Sequence, residues 1–135
     1  MMEIKEYPLL TISRLPGDNI IYISFKENSN IDIESIKDMI NNRLDFTGNE
    51  EHFLIIDLIN VKNVSGEAKT HAFTSEDGVK NVLGGAFIAS NPVSKLIANV
   101  LIKTSDNVPT KIFLTSKSAL DWLSELRKNI KGKKK

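Results

Sequence analysis

The chain has 135 residues, of which 41% are hydrophobic and 26% charged, and its formal net charge is +1. This length fits one ordinary domain, and the composition is that of a soluble globular protein rather than a disordered one. Because cysteine is absent, the sequence excludes disulfide frameworks, thiolate catalysis, cysteine zinc sites and iron–sulfur clusters. The nearly neutral charge argues against nucleic acid as a partner.

The two ends of the chain predict where the protein works and where its domain stops. The start mixes acidic and basic residues, so we expect no secretory signal, and no apolar run reaches the ~18 residues of a membrane span. These features predict a bacterial, cytoplasmic protein. The lysine-rich stretch 131–135 predicts a flexible basic tail after a single domain over 1–130. A weak anchor for nucleic acid or anionic lipid is the alternative for this tail.

The first third of the chain predicts a β-hairpin followed by a helix. Residues 4–12 alternate in part and contain Pro8, which is typical of an edge strand. A turn rich in Pro and Gly follows at 15–19, and 20–25 is rich in β-branched and aromatic residues. Asp32 is a predicted helix N-cap, because apolar residues recur at helical spacing after it.

The middle of the chain predicts a central strand, a helix and another strand. Phe53 to Leu58 form a continuous apolar run, which suits a strand buried on both faces. Ser65 is the predicted cap of the helix that follows. Another strand is predicted within 79–89, and it contains Gly84 and Gly85, which often mark a bulge or the close approach of another backbone.

The last third predicts two further helices around a short strand. Asn91 followed by Pro92 is a strong helix start, and the apolar helix continues to Ile102. A strand over 111–114 and a helix capped by Thr115 complete the order β-β-α-β-α-β-α-β-α. The alternation of the later strands with helices predicts an α/β fold with a mixed sheet of about five strands and four helices.

Four stretches of the sequence carry a family resemblance. Leu54–Val61 followed by a capped helix resembles the central strand, loop and helix of STAS domains, a superfamily that includes bacterial anti-sigma-factor antagonists. Residues 86–99, 108–113 and 119–123 more closely resemble the SpoIIAA-like domains of unknown function found in Bacteroidetes and relatives. The resemblance covers nearly the whole chain. It implies a STAS-like fold and a protein that works through interaction with other proteins.

This resemblance makes Ser65 a candidate for a switch by phosphorylation. In the antagonists, a partner kinase phosphorylates a serine at the start of the helix after the central strand, which changes the charge where a partner docks. Alignment on Asp57 and Val61 places Gly66 or Glu67 at that position, one or two residues after Ser65. We therefore predict a helix cap at Ser65, with the phospho-switch as the alternative.

Candidate catalytic residues are few. The sequence has no nucleophile elbow, phosphate loop or dinucleotide fingerprint. An enzyme would have to use His52, Asp57 and His71, and a metal site would need a third ligand such as Asp57 or Glu67 beside the two histidines. A single carboxylate makes no acid–base pair, so we predict that Asp57 caps the loop after it. We therefore predict that the chain is not an enzyme and that it has no catalytic residue, no cofactor and no metal.

The helix after Pro92 is apolar over much of its circumference. Such a helix is either deeply buried or covered by a partner. We keep both interpretations, core burial and self-association into a homodimer. The interface residues predicted for self-association are Val93, Leu96, Ile97, Val100, Leu101, Ile102 and Trp122.

The sequence therefore favours a non-enzymatic STAS-like module that interacts with an unidentified protein partner and has a regulatory role. The alternative function is a small-molecule or lipid-binding domain. That alternative predicts an apolar cavity, with Gly84 and Gly85 leaving room beside the ligand.

Overall fold

The computed structural model describes residues 3–14, 18–74, 79–103 and 108–133, without the side chains of 70, 72–74 and 131–133. The predicted turn at 15–19 lies partly outside these residues. Four helices occur in the described part: α1 (Ile33–Thr47), α2 (Gly66–Thr74), α3 (Pro92–Ile102) and α4 (Ser116–Lys133). The strands of the described part are β1 (Glu3–Glu6), β2 (Leu10–Arg14), β3 (Ile20–Phe25), β4 (Ser29–Ile31), β5 (His52–Asp57), β6 (Val61–Val64), β7 (Val82–Ile88) and β8 (Thr110–Phe113).

Six of these strands form one mixed sheet in the order β1-β2-β3-β5-β7-β8. Strands β1, β2 and β3 pair antiparallel, whereas β3, β5, β7 and β8 are parallel to one another. Strands β4 and β6 form a separate parallel pair. The carboxyl ends of the four parallel strands therefore lie at one edge of the sheet, where α/β proteins commonly place their sites.

The predicted fold class is confirmed, with more strands than the sequence indicated. The segment predicted as one edge strand over 4–12 divides into β1 and β2, because the chain turns at Tyr7, whose N–H donates to the Leu10 carbonyl at 2.8 Å. The main sheet thus has six strands rather than about five. The short β4–β6 pair is an addition to the predicted order.

Helix α1 has the boundaries that its capping residues dictate. Asp32 accepts a hydrogen bond from the Ser35 N–H at 2.8 Å, which satisfies one free donor of the first turn. Gly48 ends the helix in the left-handed conformation, with φ of +63°, where a side chain would be strained. Between these caps, Ile36, Met39 and Ile40 pack into the core.

The sheet has a helical layer on each face, and the two layers differ in size. Side chains of α1, α2 and α3 pack with Leu54 and Ile56 on the first face. On the second face, α4 packs with Phe53 and Ile55. Since α4 contacts mainly β5, β7 and β8, the antiparallel half of the second face has no helix over it in the described part of the chain.

The sequence suggested that Gly84 leaves room beside a ligand, but in the structure this glycine serves packing. A Cβ built on Gly84 would lie 2.5 Å from Leu126 Cδ2 and 3.2 Å from Phe53 Cδ1. The glycine therefore lets α4 approach β7 closely, and the leucine fills the space that a ligand would need. A Cβ on Gly85 meets no atom closer than 3.8 Å, so that position is under no such constraint.

Helix α3 begins as the sequence predicts. Asn91 accepts a hydrogen bond from the Ser94 N–H at 2.8 Å, the Ser94 hydroxyl accepts one from the Asn91 N–H at 3.1 Å, and Pro92 occupies the first turn. At the other end of the chain, α4 extends to Lys133, three residues into the predicted tail. The rest of that tail, 134–135, lies outside the described residues, and the boundary at 130 stays a prediction.

Candidate functional site

A buried polar pair closes the amino end of β5. His52 is 1% exposed and Arg43, on α1, is fully buried. Arg43 Nη1 lies 2.8 Å from His52 Nε2, and His52 Nδ1 lies 2.8 Å from the Glu50 carbonyl. Because a guanidinium only donates, Nε2 is the acceptor and the proton is assigned to Nδ1. Arg43 also donates to the Lys80 carbonyl at 3.0 Å.

The electrostatics of this pair keep His52 neutral. Burial lowers the pKa of His52 to about 4, with a further contribution from the positive charge of Arg43. Burial also lowers the pKa of Arg43, to about 10, so the guanidinium stays charged near neutrality. Both ring nitrogens of His52 are occupied by hydrogen bonds. This histidine is therefore placed to hold the fold rather than to transfer protons or bind a metal.

Asp57 lies at the carboxyl end of β5, and both of its carboxylate oxygens accept hydrogen bonds from neighbouring residues. Its Oδ2 accepts a hydrogen bond from the Tyr22 hydroxyl at 2.7 Å, and its Oδ1 accepts one from the Ile59 N–H at 3.0 Å. Burial, the hydrogen bond and the carboxylate charge together raise the pKa of Tyr22 far above its usual range. Asp57 therefore caps the loop after β5, as the sequence predicts.

The three candidate catalytic residues do not form a cluster. His52 and Asp57 occupy the two ends of β5, which places them roughly 16 Å apart at the usual rise of a strand. His71 lies on α2, which packs over the first face of the sheet. No group of three histidine or carboxylate residues is placed to hold a metal ion within the ranges that the structure describes.

Ser65 lies at the N-terminus of α2. Its Oγ accepts a hydrogen bond from the Ala68 N–H at 3.1 Å, and its carbonyl accepts one from the Lys69 N–H at 3.0 Å. This is the geometry of an N-cap. Glu67 lies in the first turn of the helix, where a negative charge is favourable. Phosphorylation of Ser65 stays a prediction, which the intact mass of protein purified from its native host would test.

The residues of the predicted interface divide between core and surface. Ile97 and Leu101 are each only 6% exposed and belong to the core, so they offer little surface to a partner. Val100 and Ile102 are half-buried. Val93 and Leu96 are 48% and 69% exposed, so both side chains reach the solvent. Helix α3 is therefore packed on one side and apolar on part of its exposed side.

Trp122 lies on the other side of the sheet from α3. It packs with the second-face cluster around α4, and its ring centroid is 5.6 Å from that of Phe113. Trp122 therefore packs on the opposite face of the sheet from α3, and its place at an interface stays a prediction.

A groove that the sequence did not indicate lies beside the start of α3. The Asn91 side chain donates to the Ile59 carbonyl at 3.0 Å and so fixes the loop after β5 against the helix. The resulting α3 groove has a volume of about 410 Å³. It is lined by Glu27, Asn28, Ile59, Asn60, Val61, Lys62, Asn91, Pro92 and Val93. Ile59 is 39% exposed there, although Leu58 before it is buried.

A second groove lies on the uncovered part of the second face. This Tyr22 groove has a volume of about 300 Å³ and a mostly apolar lining of Ser13, Arg14, Asp18, Ile20, Tyr22, Ile55 and Leu120. By contrast, two apolar pockets in the first-face layer offer only about 10 and 30 Å³. Neither of these has room for more than about one water molecule. The described residues therefore offer open grooves rather than an enclosed lipid cavity.

Comparison with solved structures identifies the class of fold. The chain is similar to an uncharacterised protein of the DUF3478 family from Shewanella loihica PV-4, which has a SpoIIAA-like fold. The TM-score is 0.53 at 20% identity, and the match covers 90% of this chain and 93% of that chain. At this identity the likeness establishes the fold alone, and it confirms the SpoIIAA-like resemblance of the sequence.

The family of the chain follows from its sequence. A family profile described as "Domain of unknown function (DUF7793)" matches residues 14–127, which is most of the chain, so the chain belongs to this family. None of the curated proteins matches the chain. In the part that the structure describes, there is also no helix with the length and apolar character needed to cross a bilayer.

Proposed function

We propose that this chain is a non-enzymatic protein-interaction module. Its docking surface consists of Ile59, Val93, Leu96 and Val100. The observation that carries the proposal is the exposure of Leu96, at 69%, one turn after Val93, at 48%, beside the α3 groove. Contiguous exposed apolar side chains with a polar surround are typical of a protein-binding surface.

The arrangement of α3 supports this proposal. Val93, Leu96 and Val100 follow one another at helical spacing, so they form one stripe on the helix surface. The opposite side of the helix is fixed in the core through Ile97 and Leu101. A rigid helix that presents a small apolar stripe binds a partner without having to order itself first.

The titratable groups of β5 support a binding role over catalysis. His52 and Asp57 have their polar atoms engaged in hydrogen bonds within the fold. An acid–base mechanism needs groups within hydrogen-bonding reach of one substrate. Since these two residues lie at opposite ends of the strand, we assign them to stability and loop geometry.

Quantitative affinity purification from the native host tests this proposal. Leu96→Glu places a charge in the stripe, so we expect it to abolish the enrichment of at least one protein seen with the unchanged chain. Because Leu96 is exposed, its effect on the free energy of unfolding should stay within about 0.5 kcal/mol. Urea unfolding of the same variant checks that the loss of binding is not a loss of fold.

The matched control is Ile4→Glu, at an exposed isoleucine of the edge strand β1, 61% exposed. It introduces the same charge away from the docking surface, so it should leave the enriched set unchanged. Equal enrichment by all three proteins would contradict the proposal.

The Tyr22 groove favours a second candidate function, the binding of a small apolar molecule. Its volume of about 300 Å³ lies at the lower end of the range of ligand sites, and Ile20, Ile55 and Leu120 supply apolar walls. A screen of small apolar compounds by thermal unfolding tests this candidate. A ligand of this groove should stabilise the unchanged chain and lose its effect with Leu120→Glu, while Leu96→Glu should respond normally.

A further inference from the structure

We infer that the partner of the docking surface is an acidic segment of another protein that carries apolar side chains, and not a second copy of this chain. The inference rests on the proposed function and adds the chemistry of the partner. It comes from the charges that surround Ile59, Val93 and Leu96.

The rim of the docking surface is positively charged. Lys95 and Lys103 are exposed residues of α3 and of its C-cap, and Lys62 lines the α3 groove. None of these lysines takes part in the ion pairs found among the described residues. Three unpaired ammonium groups around an apolar stripe attract a partner of opposite charge.

Carboxylates are scarce on this surface. Helix α3 has no acidic residue from Pro92 to Ile102, and Glu27 is the single carboxylate among the residues that line the groove. A symmetric contact between two copies would bring two sets of three lysines together against two Glu27 side chains and the two Asp57 carboxylates that accept from the Ile59 N–H. The positive charges outnumber the negative ones, so the charge pattern disfavours the homodimer that the sequence kept as one of two interpretations.

The size of the groove suits a bound polypeptide segment. The α3 groove is open to solvent, and its volume of about 410 Å³ gives room for side chains of such a segment. Its walls also offer the side-chain amide of Asn28 and the amide oxygen of Asn60, which can pair with a peptide backbone, whereas the Asn91 amide is engaged within the fold. The apolar part of the partner would cover Val93 and Leu96, and its carboxylates would meet the three lysines.

Site-specific photo-cross-linking in the native host tests the inference. A photoreactive amino acid replaces Leu96 in one protein and the exposed Ile4 of β1 in a control protein, and cross-linked peptides are sequenced by mass spectrometry. We expect the Leu96 position to capture a peptide of another protein that has net negative charge and several apolar residues. The Ile4 position should not capture that peptide.

The captured sequence, made as a synthetic peptide, then serves as the probe. We expect the triple variant Lys62→Glu, Lys95→Glu and Lys103→Glu to bind it about tenfold more weakly, because exposed charge pairs each contribute modestly. Affinity should also fall between low and high salt. Lys128→Glu, on α4, is the matched control and should bind as the unchanged chain does.

The remaining outcomes separate the inference from the function on which it rests. A captured peptide that is neutral or basic, with no salt dependence, would overturn the inference and leave the proposed function standing. Capture of this same chain, with a dimer in light scattering, would replace the acidic partner by a second copy. Binding to phosphatidylglycerol vesicles that Leu96→Glu abolishes would point to a membrane instead. If the Leu96 position captures no protein above the Ile4 control, both the inference and the proposed function are overturned.

Discussion

The two ends of strand β5 use polar and apolar side chains in opposite ways. At the amino end, the charged and titratable pair Arg43 and His52 is buried, with 0% and 1% exposure. At the carboxyl end, the apolar residues Ile59 and Leu96 are exposed to 39% and 69%. Each end thus departs from the usual distribution of polar and apolar residues, and the two departures have different meanings.

A buried polar group with all its hydrogen bonds made belongs to the fold, because its removal would leave partners unsatisfied. An exposed apolar group contributes little to folding and is free to contribute to binding. The most unusual titratable residue of a chain therefore need not mark its functional site. Here the functional proposal rests on the apolar residues of the opposite end.

Removal of Arg43 is expected to have the largest effect. Arg43→Ala should lower the free energy of unfolding by about 3–5 kcal/mol, because it leaves a cavity and unpaired acceptors on His52 and Lys80. Urea denaturation measures this loss. Lys37→Ala, at an exposed site of the same helix, is the control and should change stability by less than about 0.5 kcal/mol. A loss below 1 kcal/mol for Arg43→Ala would mean that the amino end is not closed by this pair.

The pKa of His52 predicts how stability depends on pH. Its pKa is about 4 in the fold and 6.5 in the reference state, so the unfolded chain binds more protons between these values. Stability should therefore fall as the pH is lowered from 6.5 to 4, by about 3 kcal/mol from this residue, and this contribution is constant above that window.

The variant His52→Gln isolates this contribution. Its free energy of unfolding should lose less with acidification than that of the unchanged chain, measured by urea unfolding at a series of pH values. His71→Gln keeps His52 and is the control for the substitution of a histidine elsewhere in the chain, so it should keep the contribution of His52. Identical slopes for the unchanged chain and His52→Gln would rule out His52 as the source.

Gly84 lies beside the amino end of β5, because it pairs with Phe53 in the sheet. A substitution at Gly84 tests how closely α4 packs against the second face there. Gly84→Ala should cost about 1–3 kcal/mol, because the new Cβ meets Leu126 at 2.5 Å and Phe53 at 3.2 Å. Gly85→Ala is the matched control, since its Cβ has ordinary contacts only, and should cost much less. Equal melting temperatures for the two variants would refute the close approach of α4.

The polar contact of the carboxyl end should matter least. Tyr22→Phe removes one hydrogen bond to Asp57, which keeps its bond to the Ile59 N–H, so we expect a loss of about 1 kcal/mol in urea unfolding. Tyr7→Phe is the control, because the buried Tyr7 hydroxyl has no hydrogen-bond partner among the described residues. It should be neutral or stabilising. A Tyr22→Phe loss as large as that of Arg43→Ala would remove the contrast between the two ends.

The sequence predicted those features that local signals determine. Asp32 and Asn91 cap helices because capping depends on neighbouring residues alone, and the central strand follows from its continuous apolar run. The pair β4 and β6 was missed because strands of three and four residues are defined by their pairing rather than by their own pattern.

The candidate site was harder to predict because it depends on which side of each helix faces the sheet. Arg43 follows Ile36 and Ile40 at helical spacing, so its position on the apolar side of α1 was the signal for its burial. For α3, the apolar pattern continues around the helix, and only packing separates exposed Val93 from buried Ile97. No pattern in the sequence indicated that Ile59 would be exposed, apart from its place after Asp57.

Strand β1, one of the two edge strands of the main sheet, limits how another molecule can pair with this chain. Strand β1 is exposed along all four residues, and three of them are charged: Glu3, Lys5 and Glu6. Charged side chains on an edge strand hinder the addition of a further strand from another molecule. The β1 edge is thus protected against pairing, through its backbone, with a strand of another molecule.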